Sequence, residues 1–134
     1  MITENANAGL PASGNVLTLN AGSSSLKFAL FDGGAAPRRL LSGAVDRIGL
    51  PDATFTLTKP ERQQPKCEKI SAPDHACCLE ILFQRLEETT GPMQLRATGH
   101  RVVHGGPRFF KPEIVTSEMM VELQRLRPFA PEHL

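Results

Sequence analysis

Aromatic side chains are scarce in this chain: there are seven Phe, no Trp and no Tyr, although 40% of the residues are hydrophobic and suffice for a buried core. An excess of either charge is lacking too. Fifteen Lys and Arg face 14 Asp and Glu, a net charge of +1. That balance gives no electrostatic case for nucleic acid or an anionic membrane. Cysteine is nearly absent. Cys67, Cys77 and Cys78 are odd in number and two are adjacent, which excludes a disulfide framework. No CxxC pair or Cys/His zinc spacing occurs. Reduced thiols in a cytoplasmic protein are the expectation. No apolar run approaches the ~20 residues of a membrane helix. Residues 1–15 lack the basic and apolar regions of a signal peptide and are expected to form a flexible leader. The 134 residues fit one domain, and 11 Gly with 11 Pro point to many turns.

What is present is concentrated near the start. Val16–Leu19 and Leu26–Phe31 read as strands around a polar stretch of Asn, Gly and three Ser. In Leu26–Phe31 the apolar Leu26, Phe28 and Leu30 alternate with Lys27, Ala29 and Phe31. A turn this rich in Gly and Ser lets backbone N–H groups and hydroxyls converge on an anion, and Lys27 adds a point charge. The expected turn is longer than a two-residue hairpin loop. An ordinary Ser-rich hairpin is the alternative. Neither the P-loop pattern nor a GxGxxG fingerprint is present.

Further along, Leu40–Ile48, Thr54–Thr58 and Lys66–Ile70 read as strands, the last two paired. Ser71 or Asp74 can cap a helix that carries Cys78, Leu79, Leu82, Phe83 and Leu86 at helical spacing and stops at Gly91-Pro92. Arg96–Val103 reads as a buried strand. A final helix starts near Thr116, with Met119, Met120, Leu123 and Leu126 as its apolar stripe, and Pro128 ends it. Strands first, then helix, strand and helix, define an α/β domain.

Arg101 is the second chemical feature. Inside an apolar strand an Arg must be paired. Its partner is either an internal carboxylate or a substrate carboxylate or phosphate held by the planar fork. His100 and His104 read as structural. Gly105-Gly106 suits a close backbone approach. His133, taken alone, reads as a surface residue.

Taken together, the strings VLTLNAGSSSLKFALFD, GAVDRIGL and ATGHRVVHGGPRF, followed by the helix into FAPEHL, resemble the N-terminal part of the acetate kinase (acetokinase) family. The resemblance covers nearly all of residues 16–134. It implies the N-terminal, incomplete half of an actin/Hsp70-like (ribonuclease H-like) α/β domain, with a mixed sheet flanked by helices. It also implies reversible transfer of the ATP γ-phosphoryl group to acetate with Mg²⁺, giving acetyl phosphate and ADP, in a homodimer when full-length. By the same resemblance Asn20 lies near the metal, and Ser23, Ser25 and Lys27 bind phosphate. Arg101 holds the acetate carboxylate, Val103 lines the methyl pocket, and His133 stabilises the transferring phosphoryl group.

Two positions depart from the family's A-P-L-H-N turn: Glu132 stands for Leu and Leu134 for Asn. A carboxylate is costly beside a methyl group and a second carboxylate. Either Glu132 turns away, or the substrate is propionate or another short acid. The family's catalytic Asp, a further His and Arg, and its adenosine-binding domain would lie after Leu134. The expectation is therefore one wall of an active site, or a truncated non-catalytic domain.

Overall fold

The alternation of apolar and polar residues builds a sheet with one covered face. The computed structural model describes residues 2–3, 14–102, 105–109 and 111–126. Its elements are β1 (Ile2–Thr3), β2 (Asn15–Ala21), β3 (Leu26–Asp32), β4 (Arg39–Asp46), β5 (Thr54–Thr58), β6 (Lys66–Lys69), α1 (His75–Thr90), β7 (Leu95–His100) and α2 (Ser117–Leu126). The sheet order is β1-β7-β2-β3-β4-β5-β6. Strands β2 to β6 form an antiparallel meander. The chain then crosses through α1 and inserts β7 parallel to β2, since a parallel neighbour needs a long connection. This is the expected α/β class with a mixed sheet.

Leu17, Leu19, Leu26, Phe28, Leu30, Leu41, Val45 and Phe55 fill one face of the sheet. Cys78, Leu82 and Leu86 of α1 join them in one core. Those three helical residues recur every fourth position and so form a single stripe. Each fully buried Leu contributes about 1.5–3 kcal/mol relative to exposure. Asp74 caps α1: its Oδ1 accepts the Cys77 N–H at 2.8 Å, and that bond holds the Asp74 carboxyl below the usual carboxylate range. Gly91, at φ 77°, ends the helix and donates its N–H to the Glu87 carbonyl at 2.8 Å.

Several expectations shift. The strand foreseen at Leu40–Ile48 is β4, Arg39–Asp46, because Arg47 turns to φ 60° and breaks the ladder. The strand foreseen at Arg96–Val103 ends at His100 and is half-buried along its length. Its outer neighbour β1 is only two residues long and covers little of it. Within the expected leader, Ile2–Thr3 pairs with β7, and Asn15 already belongs to β2. Phe83 and Met120 fall off their stripes and are exposed, whereas Met119 and Leu123 are buried. Thr116 opens α2 as foreseen, its Oγ1 accepting the Met119 N–H at 3.2 Å. Pro128 lies outside the described residues.

Gly43 sits where β4 meets the stacked rings of Phe28 and Phe55, 5.6 Å apart. A Cβ there would stand 2.1 Å from the Thr56 carbonyl oxygen and 2.5 Å from the Phe28 ring. Gly43→Ala is therefore expected to lower stability by about 1–3 kcal/mol, as over-packing does. Urea denaturation followed by far-UV circular dichroism checks this, and an unchanged midpoint contradicts the packing described.

Candidate functional site

The β2–β3 hairpin frames the site. Asn20 pairs directly with Lys27, and Ala21 with Leu26. Paired residues share a face of a sheet. Leu19, Leu26 and Phe28 point into the core, so Asn20 and Lys27 occupy the opposite face, half-buried and exposed respectively. On the other side of β2, Thr18 pairs with Gly99. Arg101 extends that ladder by one rung, donating its N–H to the Leu19 carbonyl at 3.1 Å. Two residues on from Gly99, Arg101 falls on the same face. An open depression of about 500 Å³ is lined by Thr18, Asn20, Lys27, Ala29, Gly99 and Arg101, among others. The parallel insertion of β7 thus brings together residues 74 positions apart in the chain: Lys27 and Arg101.

Arg101 differs from its sequence reading. It lies one residue past β7 and is exposed, not buried inside a strand. The outer strand β1 reaches only the Gly99 rung, and no described residue pairs beyond it there. Among the described residues no carboxylate forms an ion pair with Arg101 or with Lys27. The internal-carboxylate alternative therefore has no support among them. His100 lines the depression too. Burial pushes its imidazole below the ordinary histidine value, which favours the neutral ring.

The hairpin tip is tighter than its sequence suggests. The Gly22 N–H donates to the Ser25 carbonyl at 2.8 Å, which leaves Ser23 and Ser24 as the central residues. The strand ladder simply runs further, to Ala21 and Leu26. Ser23 is exposed and Ser25 half-buried; neither lines the depression. Two contacts that sequence reasoning misses hold this tip. His75 Nε2 bonds the Gly22 carbonyl at 2.9 Å, and the Ile48 N–H donates to the Ser24 carbonyl at 2.9 Å. The only sequence signal for His75 is its place directly after the helix cap Asp74. Val103, His104, Glu132 and His133 lie outside the described residues.

Two of the three thiols are held in the unreactive protonated form. Burial pushes the Cys78 thiol up to about 11, and the hydrogen bond with Asp74 raises that of Cys77. Among the described residues no group of three or more His, Cys, Asp or Glu could cage a metal. Asn20 offers one neutral amide oxygen. That fits Mg²⁺ held mainly by phosphate oxygens and water, with few protein ligands, and does not fit an all-protein site.

The open face of this mixed α/β sheet carries two cations and an amide, a chemistry that suits an anion. The chain's relatives narrow this. The sequence profile of the acetokinase family matches residues 15–134. The acetate kinase of Bacillus anthracis is 38% identical over 121 residues, spanning 88% of this chain and 30% of that protein. The acetate kinase of Chromobacterium violaceum is 35% identical over 119 residues, spanning 89% and 29%. The crystal structure of Porphyromonas gingivalis acetate kinase superposes with a TM-score of 0.79 at 30% identity, covering 90% of this chain and 31% of that one. A propionate kinase from Francisella tularensis gives 0.77 at 27% identity, covering 90% and 30%. The chain belongs to the acetokinase family. It spans about 30% of the length of the curated relatives it matches.

An exposed Arg with no ion pair among the described residues is replaceable without loss of fold. Arg101→Ala is expected to change stability by no more than about 0.5 kcal/mol. A thermal or urea melt checks this. A loss of about 3–5 kcal/mol would instead mark a buried ion pair broken by the change.

Proposed function

We propose that this chain supplies one wall of the active site of an ATP-dependent kinase for a short carboxylate, reversibly giving an acyl phosphate and ADP. The observation that carries the reading is the meeting of Asn20, Lys27 and Arg101 in one depression, with no carboxylate on either cation among the described residues. Phosphoryl transfer passes through a loose transition state, so positioning and charge neutralisation are most of the catalysis.

In this reading the Ser23 and Ser25 groups at the hairpin tip donate to phosphate oxygens. The Lys27 ammonium neutralises charge on the nucleotide phosphates. The Arg101 guanidinium grips both oxygens of the acyl group with its planar fork and turns one toward the phosphorus. The Asn20 amide oxygen is the protein ligand for Mg²⁺, which when bound neutralises phosphate charge. Val103 walls the alkyl pocket, and His133 donates to the transferring phosphoryl group. Asn20 and Lys27 being cross-strand partners, a rigid hairpin holds their spacing.

Acetate is the first candidate acceptor. Propionate is the second, by the likeness to a propionate kinase. The parent protein is proposed to be a cytoplasmic homodimer without a nucleic-acid or membrane partner. No helix among the described residues is long and apolar enough to cross a membrane.

The 134-residue chain alone is expected to give no turnover: it spans about 30% of the length of the acetate kinases it matches, and residues acting as one catalytic unit are not additive. With ATP, Mg²⁺ and acetate or propionate, hydroxylamine-trapped acyl phosphate should stay at background. Turnover in the ordinary range of ~1–1000 per second would refute the one-wall reading. Acetate and propionate should both perturb the Arg101 region in amide NMR spectra, and Arg101→Ala should abolish that response. Its survival would overturn the carboxylate role.

A further inference from the structure

We propose that His75 is a positioning residue for the anion-binding hairpin tip: by holding the Gly22 carbonyl, it fixes the direction in which the Ser23 N–H points. The proposal rests on the phosphate-binding reading of that tip. A peptide group is planar and trans, so the C=O of one residue and the N–H of the next point in opposite directions. Fixing a carbonyl therefore fixes the following N–H.

Three carbonyls of the turn are engaged by the protein. That of Gly22 bonds His75 Nε2 at 2.9 Å, that of Ser24 accepts the Ile48 N–H at 2.9 Å, and that of Ser25 accepts the Gly22 N–H at 2.8 Å. The first contact orients the Gly22–Ser23 peptide and the second the Ser24–Ser25 peptide. The Ser23 and Ser25 N–H groups consequently turn away from the protein side. Among the described residues neither of them donates to a backbone or side-chain acceptor outside regular structure.

His75 is well placed to hold its end. It begins α1, directly after the capping Asp74, and is half-buried. The segment before it is tied to the same corner, since the Gly49 N–H donates to the Ala72 carbonyl at 2.7 Å. The acceptor is a carbonyl, so Nε2 must carry the proton, in either the neutral or the charged ring. A side chain from α1, 53 residues away, thereby sets a backbone donor in the loop.

The test uses the full chain and inorganic pyrophosphate as probe. Long-range proton–nitrogen spectra of the wild type should find the neutral imidazole of His75 protonated at Nε2. A ring protonated at Nδ1 alone overturns the proposal without any variant. In His75→Ala the Ser23 amide should move and pyrophosphate affinity should fall about three- to tenfold, the scale of one hydrogen bond. His75→Gln, whose amide reaches the Nε2 position, should restore both. Unchanged Ser23 shifts and affinity in His75→Ala, or no recovery in a folded His75→Gln, overturn the positioning role. If wild-type pyrophosphate shifts avoid residues 20–27, the phosphate reading itself fails, while the Nε2 tautomer and the Ser23 shift still report the tether.

Discussion

Strand β2 is bonded on both sides, antiparallel to β3 and parallel to β7, and everything proposed for this molecule depends on that double pairing. The antiparallel side sets Asn20 opposite Lys27. The parallel side sets Gly99 beside Thr18 and brings Arg101 onto the same face. A slip of one residue in the β2–β3 ladder would send Lys27 into the core and Leu26 and Phe28 into solvent, and one in the β2–β7 ladder would turn Arg101 off the shared face. Burial of Leu17, Leu19, Leu26, Phe28 and Leu30 against α1 makes such a slip costly. The hydrophobic core thus fixes the register of the polar groups on the opposite face, although none of those groups belongs to it.

The covered and open faces divide the labour of this domain. One carries the apolar residues that stabilise it. The other leaves two cations without ion-pair partners among the described residues, a state more useful for meeting an anion than for stability. Surface ion pairs elsewhere, such as Arg38–Asp32 at 3.1 Å and Arg47–Asp52 at 2.7 Å, are exposed and contribute little. Arg47 is nevertheless at a structural corner. Its φ of 60° ends β4 and turns the chain so that the Ile48 N–H meets the Ser24 carbonyl. That conformation is unfavourable for a side chain with a Cβ, so the surrounding contacts must hold it.

Local pattern carried most of the strands and both helices. Alternation located β3 and β5, a short β-rich run located β2 and pairing with β5 located β6, while the Asp74 cap and the Gly91 stop bounded α1. Failures came where tertiary context decides. The stretch Arg96–Val103 cannot reveal that its outer neighbour is two residues long, which is why it looked buried and Arg101 looked paired. Phe83 and Met120 fit helical spacing, but spacing leaves open how wide a face is covered. At the site, the strings NAGSSSLKF and GHRVVHGG were legible as family signatures, and the convergence of Asn20, Lys27 and Arg101 follows from the fold. The clamp by His75 was not legible, because a hydrogen bond across 53 residues to a backbone carbonyl leaves no mark in composition or periodicity.

The central claim is that the open face of β2, β3 and the end of β7 is one anion site with the hairpin tip at its rim. It is tested most directly by mapping amide shifts of the full chain as ATP with Mg²⁺ is added. The largest shifts should fall at residues 20–27 and 99–101, and ATP should bind weakly, through its phosphates. Largest shifts on α1, on β5 and β6, or on α2, with residues 20–27 unmoved, would contradict it.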